Sequence, residues 1–174
     1  MILAVANMKG GCAKTTTAVY LAHYLDAVIV DADPQASAAG WADAVAEDGA
    51  TLGVRGVVRL PDPKLAERLP YAERLVIDCS PRDHAITDAA MSAADLVVIP
   101  TAPTAADMDR TWPTLDLAAR LGTPAVVVRV RTGTRSRQRP PSGPTSTGRP
   151  HQPALRAPGA QGDGPVRPSR RLSR

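Results

Sequence analysis

Ile2-Leu3-Ala4-Val5-Ala6 runs without a break into Asn7-Met8-Lys9-Gly10-Gly11-Cys12-Ala13-Lys14-Thr15-Thr16-Thr17. The short apolar run predicts a strand buried on both faces, the paired glycines a tight loop, and the threonines the start of a helix. Strand, glycine-rich loop and helix N-terminus in that order make a phosphate cradle, because converging backbone N–H groups and the positive end of the helix both favour an anion. In such a cradle Lys14 reaches the β- and γ-phosphates of a nucleoside triphosphate and the Thr15 hydroxyl completes a Mg²⁺ shell. Gly10, Gly11, Cys12, Ala13 and Thr16 complete the wall around the phosphates. The general pattern G-x-x-x-x-G-K-[ST] is not met, since Met8 and Ala13 stand at its glycine positions. A left-handed backbone at position 13 would cost about 1–2 kcal/mol for any residue but glycine, and the alanine Cβ would crowd the β-phosphate.

Working outward, four more apolar runs read as strands: Ala27 to Val30, Leu75 to Ile77, Leu96 to Ile99 and Ala125 to Val128. Helical patterns fall between them. Ala18, Leu21, Ala22 and Leu25 form one apolar stripe, and Ile86, Ala90 and Ala93 repeat the device. Thr111 is placed to cap a helix entered through Trp112 and Pro113, with Leu115 and Leu121 facing inward. Gln35 to Asp48 is alanine-rich and reads as helix, whereas Gly49 to Pro63 reads as loop with a short extended piece. Strand alternating with helix predicts an α/β fold, a doubly wound and mostly parallel sheet.

Acidic residues follow two of these strands. Asp31-Ala32-Asp33-Pro34-Gln35 closes the second, and Asp31 and Asp33 point the same way if the strand continues through them. A carboxylate beside Mg²⁺ that orients water is what phosphoryl transfer to water needs. Leu75-Val76-Ile77-Asp78-Cys79-Ser80-Pro81 has the apolar-strand-then-Asp form of a Walker B element, in which Asp78 holds Mg²⁺ through water. Taken alone, the first pair also fits a solvated turn ended by Pro34, and Asp78 a turn or helix cap.

Residues 9–15 resemble the deviant Walker A motif of the ParA/MinD family of P-loop ATPases, K-G-G-x-x-K-[ST], and Lys9 stands at its signature lysine. Asp31-Ala32-Asp33-Pro34-Gln35 is similar to the family's D-x-D-P-Q switch, and Asp95 to Thr104 to its segment after Walker B. The resemblance covers residues 1–130 and is nearest to the short ParF-like partition ATPases. It implies P-loop NTPase topology, ATP and Mg²⁺ as ligands, and a homodimer in which Lys9 reaches the partner's phosphates across a nucleotide sandwich. It implies that Lys9, Lys14 and Asp33 carry catalysis, Asp33 on the attacking water, and that Thr15, Asp31 and Asp78 serve the metal. A ParB-like adaptor and non-specific DNA are the partners it implies, in partition or positioning of a plasmid, chromosome or other cargo. The alternative is a decayed relative that binds nucleotide without hydrolysing it, suggested by Ala13 and by the short passage from Leu25 to Ala27.

Charge divides the chain. Residues 1–130 hold 11 Lys and Arg against 16 Asp and Glu, whereas residues 131–174 hold 10 Arg against Asp163 alone. That last segment also contains 8 Pro and almost nothing apolar, so a domain of residues 1–130, cut off after about its fifth strand, is expected to precede a disordered basic tail. The tail reads either as an arm for nucleic acid or as an out-of-frame translation. Cys12 and Cys79 lie too far apart in sequence for a C-x-x-C element, and no apolar run approaches the ~20 residues of a membrane span, so a cytoplasmic protein without membrane association is expected. His23, His84 and His151 occupy no catalytic spacing, Trp41 and Trp112 read as helix-packing or partner contacts, and five aromatic residues form no platform for single-stranded nucleic acid.

Overall fold

The computed structural model describes residues 1–130, so both expectations for the tail concern residues outside the described part. In chain order the elements are β1 (Ile2–Val5), α1 (Lys14–Leu25), β2 (Val28–Asp31), α2 (Ser37–Glu47), β3 (Gly56–Arg59), α3 (Leu65–Arg68), β4 (Leu75–Asp78), α4 (His84–Ala93), β5 (Leu96–Thr101), α5 (Ala105–Asp109), α6 (Trp112–Leu121) and β6 (Ala125–Arg129). The six strands form one parallel sheet in the order β3-β2-β4-β1-β5-β6. This is the doubly wound α/β class with a P-loop NTPase-like fold.

Alternation along each strand sorts the apolar side chains into two layers. Leu3, Val5, Ile29, Val76 and Val98 face Ala18 and Ala22 of α1 and Ala38 of α2. Ala4, Val30, Ile77, Val97 and Ile99 face Leu65 of α3, Ile86, Ala90 and Met91 of α4, and Leu117 and Ala118 of α6. Alanines on α1 and α4 let these helices lie close to the sheet, as the predicted stripes require.

Two expectations need correction. The sheet has six strands among the described residues, not five, because the short extended piece within 49–63 is β3, paired with β2 from Val28↔Gly56 to Asp31↔Arg59. It lies at the sheet edge and none of its residues is fully buried, so it lacks the apolar run that marks a central strand. Thr111 precedes α6 but makes no side-chain cap. Its hydroxyl instead donates to the Asp107 carbonyl (3.0 Å) and lies 3.1 Å from the Thr101 hydroxyl, tying β5, α5 and α6 together. Among the described residues no helix is long and apolar enough to cross a membrane.

Candidate nucleotide site

The register of the sheet brings the motifs together. Asp78 pairs with Val5 on one side and with Asp31 on the other, so the ends of β1, β2 and β4 lie level at the carboxyl edge of the sheet. Open parallel sheets bind ligands at that edge.

The loop between β1 and α1 is held from below by Asn7, which is buried. Its Nδ2 donates to the Pro100 carbonyl (2.9 Å) and its Oδ1 accepts the Lys9 N–H (2.9 Å), while the Met8 N–H donates to Thr114 Oγ1 (3.2 Å). Gly11 takes φ 72° and Ala13 takes φ 65°, ψ 33°. The left-handed strain anticipated at position 13 is therefore present. Ala36, at the entrance to α2, is also left-handed, with φ 52°.

Lys14 is buried at the head of α1, and its Nζ donates to the Lys9 carbonyl (3.2 Å). Cys12 is buried too; its Sγ donates to the same carbonyl (3.1 Å), and burial pushes the thiol above its ordinary pKa. The Lys9 ammonium is ion-paired with Asp107 of α5 in the same chain.

Asp31 and Asp33 do not act as a matched pair on a continuing strand. β2 ends at Asp31, which is buried, and the chain turns there: Asp31 Oδ1 accepts the Asp33 N–H (3.2 Å) and Oδ2 the Ala39 N–H (2.9 Å). Burial raises the Asp31 pKa, opposed by these backbone donors. Asp33 accepts the Gln35 N–H (3.0 Å) on Oδ1.

Asp78 is 1% exposed, and neither carboxylate oxygen has a hydrogen-bond partner. Desolvation pushes its pKa up to about 7; the Thr15 hydroxyl and Lys14 favour the charged form, without a hydrogen bond of normal geometry. Buried acceptors are rarely left unpaired. A carboxylate so placed, beside a threonine hydroxyl, fits a hydrated divalent cation whose charge would replace the lost solvation.

Above these groups opens a cavity of about 640 Å³. Three chain segments line it: Met8, Gly10, Gly11, Ala13, Lys14, Thr15 and Thr16 after β1, Asp33, Gln35, Ser37 and Trp41 after β2, and Pro81 and Arg82 after β4. Asp31, Asp78, Lys9 and Cys12 lie outside the lining. Trp41 and Arg82 carry no motif in the sequence; only their places after Asp33-Pro34-Gln35 and after Asp78 could have drawn attention to them.

Residues 3–139 match the model of the CobQ/CobB/MinD/ParA nucleotide binding domain. The chain belongs to this ParA/MinD family. Within the family it is 41% identical over 115 residues to maintenance of carboxysome distribution protein A from Gloeobacter kilaueensis, covering 62% of this chain and 51% of that protein. The ParA/MinD fold is shared with a putative plasmid partition protein from Borrelia burgdorferi bound to AMPPNP (TM-score 0.62, 18% identity, 76% of this chain and 75% of that one). It is shared also with the septum site-determining protein MinD of Pyrococcus horikoshii complexed with Mg-ADP (TM-score 0.60, 20% identity, 80% and 74%). The chain spans about half the length of the curated relatives it matches.

Proposed function

We propose that this chain is a ParA-type positioning ATPase that binds ATP with Mg²⁺ at the β1–α1 loop and dimerises around it. The observation that carries the reading is the conjunction of a glycine loop, a buried Lys14 and an orphaned Asp78 carboxylate at one edge of the sheet. The loop N–H groups and Lys14 would neutralise phosphate oxygens, and Thr15 and Asp78 would hold the metal, directly and through water. Bound there, Mg²⁺ would offset charge on the β- and γ-phosphates. Asp33, which lines the cavity, would orient water, and Asp31, whose Oδ1 accepts the Asp33 N–H, would fix that turn and stand in the metal's outer shell. Lys9 would leave Asp107 to meet the partner's phosphates, where its charge stabilises the transition state.

Cargo positioning is supported by the relatives' names, which include carboxysome distribution and plasmid partition proteins. A ParB-like adaptor, non-specific DNA and a cytoplasmic setting belong to the same proposal. The test is hydrolysis by the purified chain across a concentration series. Turnover per molecule should rise with protein concentration and vanish in Lys9→Ala; equal turnover in both proteins, independent of concentration, removes the reading.

One observation favours a second reading, nucleotide binding without useful turnover. Ala13 holds a left-handed backbone in the cradle itself and lines the cavity. A saturable ATP isotherm with no phosphate release selects it.

A further inference from the structure

The cavity that the phosphate loop lines also carries a cation that none of the quoted family motifs includes. Arg82 follows Asp78 on the loop from β4 to α4, is exposed, and lines the 640 Å³ cavity. It also lines an adjoining cavity of about 280 Å³, shared with Asp33, Gln35 and Ser80. Its guanidinium makes no ion pair among the described residues. Its backbone, by contrast, is fixed. The Arg82 and Asp83 N–H groups both donate to Ser80 Oγ (3.3 and 3.4 Å), the Thr87 hydroxyl donates to the Ser80 carbonyl (2.8 Å), and Asp83 Oδ1 caps α4 by accepting the Ile86 N–H (3.1 Å). The neighbouring carboxylate is thus engaged by the helix, and the Arg82 backbone is anchored in the cavity lining.

We propose that Arg82 is a phosphate-binding residue that reads the terminal phosphate and so distinguishes a nucleoside triphosphate from a diphosphate. This rests on the nucleotide reading above. Thr15 and Asp78 would hold the metal side of the cradle, and a divalent cation held there would supply positive charge to the phosphates. Arg82 lies four residues after Asp78, the last residue of β4, and shares the lining of both cavities with Asp33, so on the nucleotide reading it would meet the terminal phosphate, next to the metal and the attacking water. A guanidinium there supplies a planar fork of donors to oxygens that Lys14 and the metal leave partly uncompensated. With a diphosphate bound, the fork has nothing to hold.

The experiment is titration of the full chain with Mg²⁺ and either ADP or a non-hydrolysable ATP analogue, at concentrations where sedimentation shows monomer. Arg82→Ala should weaken the analogue about tenfold and leave ADP unchanged, with Arg82→Lys between wild type and alanine. Equal weakening of both ligands, or of neither, overturns the role of Arg82 while the nucleotide site stands. If the wild-type chain binds neither ligand, the nucleotide reading fails and this inference with it.

Discussion

The ammonium of Lys9 is ion-paired with the carboxylate of Asp107, joining the phosphate loop to α5 within one chain. Both side chains are largely shielded, at 30% and 15% exposure, so the pair is less screened than a surface contact. A lysine held in this way is withdrawn from any partner subunit until the pair opens. Asp107→Ala should therefore increase ATP-dependent dimerisation, measured by sedimentation velocity at matched concentrations. Lys9→Ala should abolish dimerisation in either background. Identical dimer fractions for Asp107→Ala and wild type would show that the pair does not restrain Lys9.

Ala13 is strained where glycine would not be. Ala13→Gly relieves a left-handed cost of about 1–2 kcal/mol, offset in part by about 0.4–1 kcal/mol of added chain entropy in the unfolded state. A net stabilisation of about 0–1.6 kcal/mol is expected in urea denaturation, together with tighter nucleotide binding as the cradle is relieved of strain. Loss of stability would mean that the Cβ makes a packing contact worth more than the strain.

Asp78 sets a pH dependence whose sign follows from its raised pKa. Below its ordinary value of 3.8 the carboxyl is protonated in both folded and unfolded chains, and above about 7 it is ionised in both. Between these limits the folded state binds more protons, so the site's contribution to stability falls as pH rises and levels off above about 7. In metal-free buffer Asp78→Asn should match wild type near pH 4 and become the more stable protein by pH 8, by at most about 4 kcal/mol. A constant difference across that range would mean that the carboxylate is solvated in the apo protein. Nucleotide with Mg²⁺ should narrow the gap, since a cation favours the ionised form.

What could be read in advance follows burial and local spacing. β1, β2, β4 and β5 declare themselves because central parallel strands are apolar on both faces, and Gly10, Gly11 and Ala13 to Thr16 because a cavity-lining loop is built from neighbouring residues. β3 has Val57 half-buried and Val58 exposed, which is indistinguishable from a loop until β2 is seen beside it. The turn after Asp31 is one of two readings that the sequence leaves open: alternation predicts a shared face only while the strand lasts, and the Ala39 N–H that holds the Asp31 carboxylate lies on the next helix. The Lys9–Asp107 pair and the approach of Arg82 and Trp41 to the cavity are contacts between distant segments, which no periodicity records.

Asn7 is the same kind of residue, silent in the sequence and central in the fold. Its amide spans two elements, giving a donor to Pro100 at the end of β5 and an acceptor to the Lys9 N–H in the loop. At 2% exposure, water cannot readily replace either bond. Asn7→Ala leaves a carbonyl and an N–H unpaired and should cost about 2–3 kcal/mol in chemical denaturation. Asn7→Asp separates the two bonds. It keeps the acceptor for Lys9 but turns a second oxygen toward the Pro100 carbonyl and introduces charge into a buried site, so its destabilisation should grow as pH rises through the carboxylate range. If the loop's geometry depends on the Lys9 bond, nucleotide affinity should fall more in Asn7→Ala than in Asn7→Asp at low pH, where the aspartic acid is neutral and can donate to Pro100. Equal affinities there would place the restraint on Met8 and Thr114 instead.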